Sequence, residues 1–382
     1  MAGESTLYPG TGWPLRPARA PVAAAAPPHL APKSIARPHL AWVDAAKGIG
    51  IAAVVFVHTT TNVPGMKFFL LFAMPLFFFL SGYLHKPQPG GPYARRKAIH
   101  LLVPYVSFLL FIAALRFVHL LHHRELNAAV LRRGLLHGLW GGSQLGGMFS
   151  VLWFLTCLFL TQQIMNWMLL HLRLVPLIAI TLGAMFAGDG LSHLFPSFSL
   201  PLGANVVLAA MPFFLLGSLS RRWRLDGWPS LLFGITCVIA APVLLARGLP
   251  VFYDMHNGFY GVPFLTFVLS SGCIFTCVQV ARASVQVPLF GWVLRNLGVM
   301  SLGIMLVHKV VPMIPGYSVL PVAGPGTPTL VDLAVSWGVA LLLSRSSLTR
   351  ALFLGCEHDF TTHISPVLAH LRPRHQAHAF AR

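Results

Sequence analysis

WVDAAKGIGIAAVVFVHTT, residues 42 to 60, opens the first long apolar run of a 382-residue chain. Its length fits one crossing of a bilayer, which takes about 20 mostly apolar residues. Yet it carries Asp44 and Lys47 near one end and His58 near the other. Ionisable groups in a membrane helix are costly, so each one requires a reason.

Composition makes the membrane reading general. The chain is 56% hydrophobic and 9% charged, with a mean hydropathy of +0.72. Soluble domains carry roughly 25% charged residues, so this chain cannot cover a water-facing surface of its size. Ten apolar runs follow: 43–61, 66–84, 99–121, 150–170, 173–187, 202–219, 229–247, 258–281, 289–312 and 327–345. The fifth is short. The expectation is an all-α, polytopic membrane protein with about ten transmembrane helices. A disordered Pro/Ala/Arg-rich tail (1–40) precedes the transmembrane domain (41–345), and a basic tail (346–382) follows it.

A formal charge of +18 would suit nucleic acid, but the basic residues sit in short clusters between apolar runs. That is the mark of membrane orientation, not of a nucleic-acid surface. With the amino terminus inside, inner segments hold Lys86, Arg95, Arg96, Lys97, Arg221, Arg222, Arg224 and Arg282 along with both tails. Outer segments hold fewer, mainly Arg124, Arg132, Arg133 and Arg247. Both termini are therefore expected in the cytoplasm. The five cysteines show no paired metal spacing, and no metal site is expected. No P-loop or HExxH motif is present, and no carboxylate pair suits glycosidase chemistry.

On the first helix, Asp44 and Lys47 stand at i, i+3 and can pair on one face. Asp44 also suits a helix amino terminus, where a carboxylate meets free N–H groups. Lys47 and His58 are eleven residues apart, which is about 20° past three full turns and about 16 Å along the axis. One stripe thus carries a cation at the inner end and an imidazole deep in the apolar run. Taken singly, Lys47 reads as a snorkelling anchor and His58 as an interhelical hydrogen bond. Their shared stripe points to function.

VDAAKGIGIAAVVFVH (43–58) resembles the first-helix motif of the membrane acyltransferase-3 family, a basic residue followed after ten residues by histidine. FAMPLFFFLSGYLHK (72–86) is similar to the second helix of the branch that includes fucose 4-O-acetylase, with Ala73 where that branch usually has histidine. LLVPYVSF (101–108), VLWFLTCLFL (151–160), AAMPFFLLGSL (209–219) and LGVMSLGIMLVH (297–308) follow in the family's order. The resemblance implies transfer of an acetyl group from cytoplasmic acetyl-CoA to a sugar hydroxyl of an exopolysaccharide, O-antigen or lipid-linked glycan. It also implies a bacterial inner membrane and a polysaccharide assembly machinery as neighbour.

Within that chemistry, His58 suits the general base, because imidazole titrates near neutral pH. Lys47 suits an anionic donor group or the orientation of Asp44. Arg95, Arg96 and Lys97 could hold CoA phosphates, or simply mark the inner face. Trp153, Ser301 and His308 are candidates for contact with acceptor or thioester, and Ser81 reads as helix packing. The rival readings are a transporter of a small anion or lipid-linked sugar, and a non-catalytic partner of glycan assembly. Charged membrane helices also serve transport, but no internal repeat is visible.

Overall fold

The computed structural model describes residues 38–60, 65–125, 127–196, 198–225, 227–314 and 326–370. The tail up to residue 37 and the RPRHQAHAFAR end lie outside the described residues. Every apolar run is helical, and the described chain is an all-α membrane protein. In order, the helices are α1 (Pro38–Thr59), α2 (Met66–Leu84), α3 (Gly90–Lys97), α4 (Val103–His122), α5 (Ala128–Trp140), α6 (Trp153–His171), α7 (Leu174–Leu194), α8 (Ala204–Trp223), α9 (Trp228–Ala246), α10 (Leu265–Ser284), α11 (Pro288–Val299), α12 (Ser301–Val307) and α13 (Thr327–Leu343). Three short ones close the chain: α14 (Ser347–Phe353), α15 (Glu357–Asp359) and α16 (Ser365–His370).

Among the described residues, eight helices are long and apolar enough to cross a membrane, and α11 with α12 makes a ninth if the bent pair is one span. α13, with 17 residues, is apolar but shorter. α3 runs into α4 through a π turn over Ala98–Leu102. The turn lies just ahead of Pro104, which lacks the N–H that a regular helix would use.

Four expectations change. The first helix begins at Pro38, within the stretch read as tail, so Asp44 lies in its second turn and does not cap it. The fifth run extends to Leu194, past Gly188, Asp189 and Gly190, because Gly188 packs against Leu208 and Asp189 finds His193 at 3.6 Å. The eighth helix starts at Leu265, not 258: Gly258 and Gly261 have φ of +72° and +77°, and Asp254 pairs with Phe259 across a tight turn. The ninth run is broken at Met300, where α11 and α12 meet at 65°.

The segment after 345 is also more than a free tail. Phe353 packs on Phe108 at 5.1 Å, and Arg350 grips Asp359 through two hydrogen bonds of 2.7 and 3.1 Å. The guanidinium holds the Asp359 carboxyl down at about 2. Gly355 meets the backbone of His100, which ties this segment to the π turn.

In lipid, helices associate through close packing and small residues, since burial against lipid tails gains little. Two crossings here rest on glycine. A Cβ on Gly298 would lie 1.7 Å from the Asp44 carbonyl oxygen, and one on Gly48 would lie 2.0 Å from that of Leu294. These contacts press α11 onto α1. Gly82 and Gly217 do the same for α2 and α8, where a Cβ on either would lie 1.9 Å from the opposite backbone oxygen. A Cβ on Gly338 in α13 meets nothing. Gly298→Ala should therefore lower the unfolding midpoint of the purified protein, by the ~1–3 kcal/mol of an overpacked core or more. Gly338→Ala should leave it unchanged or raise it, alanine being the better helix former. Equal midpoints for the two variants would show that the α1–α11 contact is not as close as described.

Candidate active site along the first helix

α1 lies against α2, α10, α11, α12 and α13, so its polar stripe faces protein rather than lipid. Toward its amino-terminal end, Lys47 Nζ is 3.1 Å from Asp44 Oδ1, with both side chains about one-third exposed. The i, i+3 pairing forms as its spacing suggests. With α1 starting at Pro38, Asp44 orients Lys47 and does not cap the helix.

Around this pair the structure gathers cations. Lys97 lies near enough to feel the charge of Lys47. Tyr93 is buried between Arg96 and Lys97, whose charged groups stand 5.8 and 5.7 Å from its ring. Arg96 donates to Gln88 Oε1 at 2.8 Å, and Asn166 clasps the Gln88 backbone through both its amide atoms. Arg95 is exposed and makes no hydrogen bond or ion pair among the described residues. Of the three basic residues singled out in sequence, two join Lys47 and one does not.

Between α2 and α3, His85 Nδ1 meets the Tyr93 hydroxyl at 3.1 Å. Burial pushes the His85 imidazole down to about 4, Lys97 and Arg96 push the same way, and the Asn166 amide opposes them. His85 is thus neutral at pH 7. Its ordinary value is near 6.5, so the folded state binds fewer protons than the unfolded one between about 4 and 6.5. Stability is complete above that window and declines as pH falls through it. The unfolding midpoint should drop from pH 6.5 to pH 4, and His85→Gln should flatten part of that slope. An unchanged slope would remove His85 from the account.

At the other end of α1, His58 is exposed and its ring stacks on His308 at 5.2 Å between centroids, with 28° between planes. His308 is only 1% exposed. Its Nδ1 is 3.2 Å from the Ile304 carbonyl oxygen, which can only accept. In the neutral ring the proton therefore sits on Nδ1, and Nε2 is left a bare acceptor. That Nε2 is buried with no hydrogen-bond partner among the described residues. An unsatisfied buried acceptor beside an exposed imidazole is the kind of group that a substrate proton completes.

Lys309 follows His308 directly in the chain, so a cation adjoins the pair. Thr59 hydrogen-bonds Thr329 at 2.7 Å, fixing α13 against this end of α1. One turn further along α13, Asp332 is buried, accepts from Ser336 and keeps Oδ2 unpartnered.

The other sequence candidates divide. Ser301 opens α12, at the far end of that short helix from His308, so the length of the helix separates it from the histidine pair. Trp153 is buried against Phe154 and His256, at 6.0 and 6.2 Å. It supports His256 and presents no open face for a sugar. Ser81 accepts from Gln162 at 2.8 Å, a packing contact between α2 and α6. Ala73 is buried. The sequence reading missed His256, His100 and His85. His256 lies in a loop that apolar character had half assigned to a helix, while His85 and His100 flank the basic cluster and could have been read with it.

A family model described as an acyltransferase domain matches residues 40–344, from the foot of α1 through α13. Neither the curated proteins nor the solved structures contain a match. The matched span covers the whole helical body that brings Lys47, His58 and His308 together, and the chain belongs to the membrane acyltransferase-3 family.

Proposed function

We propose that this membrane acyltransferase is an O-acetyltransferase, moving acetyl from acetyl-CoA to a hydroxyl of a glycan or lipid-linked sugar of the exopolysaccharide or O-antigen type. The observation that carries the reading is the polarity of α1. A lysine among other cations stands at one end, and an exposed imidazole stacked on a buried one stands at the other. The first end suits the phosphates of a nucleotide thioester, and the second suits proton transfer.

Donor phosphates would sit near Lys47, Lys97 and Arg96, held as point charges and guanidinium contacts. The pantetheine arm would follow the stripe to the histidines. There an imidazole of the pair, His58 in the direct route, takes the proton of the acceptor hydroxyl as its oxygen attacks the thioester carbonyl carbon. Negative charge builds on the carbonyl oxygen, near the Lys309 cation. The C–S bond then breaks, and the imidazolium returns the proton to the thiolate, leaving the ester and CoA. Acetyl-CoA is a co-substrate here, and the step calls on no metal. In this reading the foot of α1 and both termini face the cytoplasm of a bacterial inner membrane, with lipid around the helices. The acceptor meets His58 from the opposite face, beside the machinery that assembles the glycan.

His58→Ala in folded, membrane-inserted protein should cut acetyl transfer by roughly 10²–10⁴-fold, the usual worth of a general base, while acetyl-CoA binding persists. Lys47→Ala should chiefly raise the KM for acetyl-CoA, and Lys47→Arg should be tolerated better. Near-normal turnover by His58→Ala would return this histidine to a packing role.

A further inference from the structure

Beside the histidine pair, the loops at the His58 end enclose a second space of about 250 Å³. Ser143, Gln144, Ser192, Ser199, Asn205 and His256 supply polar groups to its wall. Phe195, Phe198 and Tyr260 supply rings, and the first two are 58% and 45% exposed. Gln144 donates to Ser199 at 3.0 Å, which joins the 142–147 loop to the segment before α8. His256 lines the cleft. Its Nε2 donates to the Leu145 carbonyl at 3.2 Å, and its ring rests near Trp153.

We propose that this cleft is the acceptor subsite and that the group it takes is an uncharged sugar ring. The proposal rests on the acyl-transfer reading above only for the word acceptor; the ligand class follows from the wall. Serine hydroxyls and the amides of Gln144 and Asn205 both donate and accept, as adjacent sugar hydroxyls require. The exposed faces of Phe195 and Phe198 suit the apolar C–H face of a pyranose. No Lys, Arg, Asp or Glu lines the space among the described residues. An acidic or phosphorylated sugar would leave its charge without a partner, which burial penalises heavily. Two carboxylates stand just outside the wall and are already engaged: Asp254 accepts from the lining Asn257 at 2.8 Å, and Asp189 has an oxygen 3.6 Å from His193. The volume is below the roughly 300–1,000 Å³ of drug-sized pockets, which suits a single residue of a longer glycan. His256 lines the cleft and rests near Trp153, and the turn over Gly147–Leu152 that leads into Trp153 lies against α12, so a ring seated here would turn a hydroxyl toward the imidazole pair.

The test is ligand-observed saturation-transfer NMR on the full chain in lipid nanodiscs, with methyl β-glucopyranoside and methyl β-glucopyranosiduronate as probes. The neutral glycoside should receive saturation, and the acidic one should receive at least several-fold less. Gln144→Ala and Ser199→Phe, each checked for a wild-type unfolding midpoint, should lose the signal by a similar factor. No signal from the wild type at millimolar probe, an equal signal from the acidic probe, or a full signal in both variants would overturn the proposal. Release of CoA from acetyl-CoA by the same preparation is scored separately. Its absence would count against the acyl-transfer reading and leave the binding result standing.

Discussion

The rest of this architecture depends on the contact between the backbones of α1 and α11. Gly298 lies against the Asp44 carbonyl, and Gly48 against that of Leu294. No side chain fits between them, so α11 must cross α1 in its amino-terminal half. The chain then bends by 65° at Met300, and α12 carries His308 up to the ring of His58. Were the crossing looser, the histidines would have no reason to meet. In a bilayer this tightness matters more than apolar burial, since lipid competes equally well for an apolar face. The second glycine crossing, between α2 and α8, holds the neighbouring wall by the same means.

Much of this was legible before any coordinates. Length and hydropathy gave the spans, because the bilayer sets helix length and only helices or closed barrels satisfy the backbone in lipid. The spacing of Asp44, Lys47 and His58 gave a one-sided stripe, because helical periodicity is local. What failed was non-local or hinged on backbone conformation. The break at Met300 carries no proline to mark it. The start of α10 at Leu265 reflects positive φ at Gly258 and Gly261, which hydropathy cannot register. His256 is brought to the site by the loop those glycines shape, so the same blind spot hid a helix boundary and a site residue. Trp153 rests near His256, and burial makes it a support for that residue and not a platform for a sugar.

The polar groups in α1 cost little where they stand. Asp44 and Lys47 neutralise one another near a helix end, where water or headgroups solvate the remainder. His58 is neutral unless it takes a proton, and its stacked neighbour has one nitrogen satisfied by its own helix. Two buried atoms on elements packed at the His58 end lack a partner, His308 Nε2 and Asp332 Oδ2. A buried polar atom left unsatisfied beside an exposed imidazole is a place where a partner from outside the chain can bind.

A helix is also a ruler. Between Lys47 and His58 it fixes about 16 Å and keeps both on one face. In the proposed reaction, a donor anchored at the foot by its phosphates would present its reactive carbon only at that distance along the stripe. The glycine crossing sets the approach of α12 to the same place. Anion binding and proton transfer would then be kept apart by a rigid element, not by a loop. Neither charge would need to enter the apolar middle of the membrane for the two reactants to meet, so one helix would serve both faces without becoming a channel for ions.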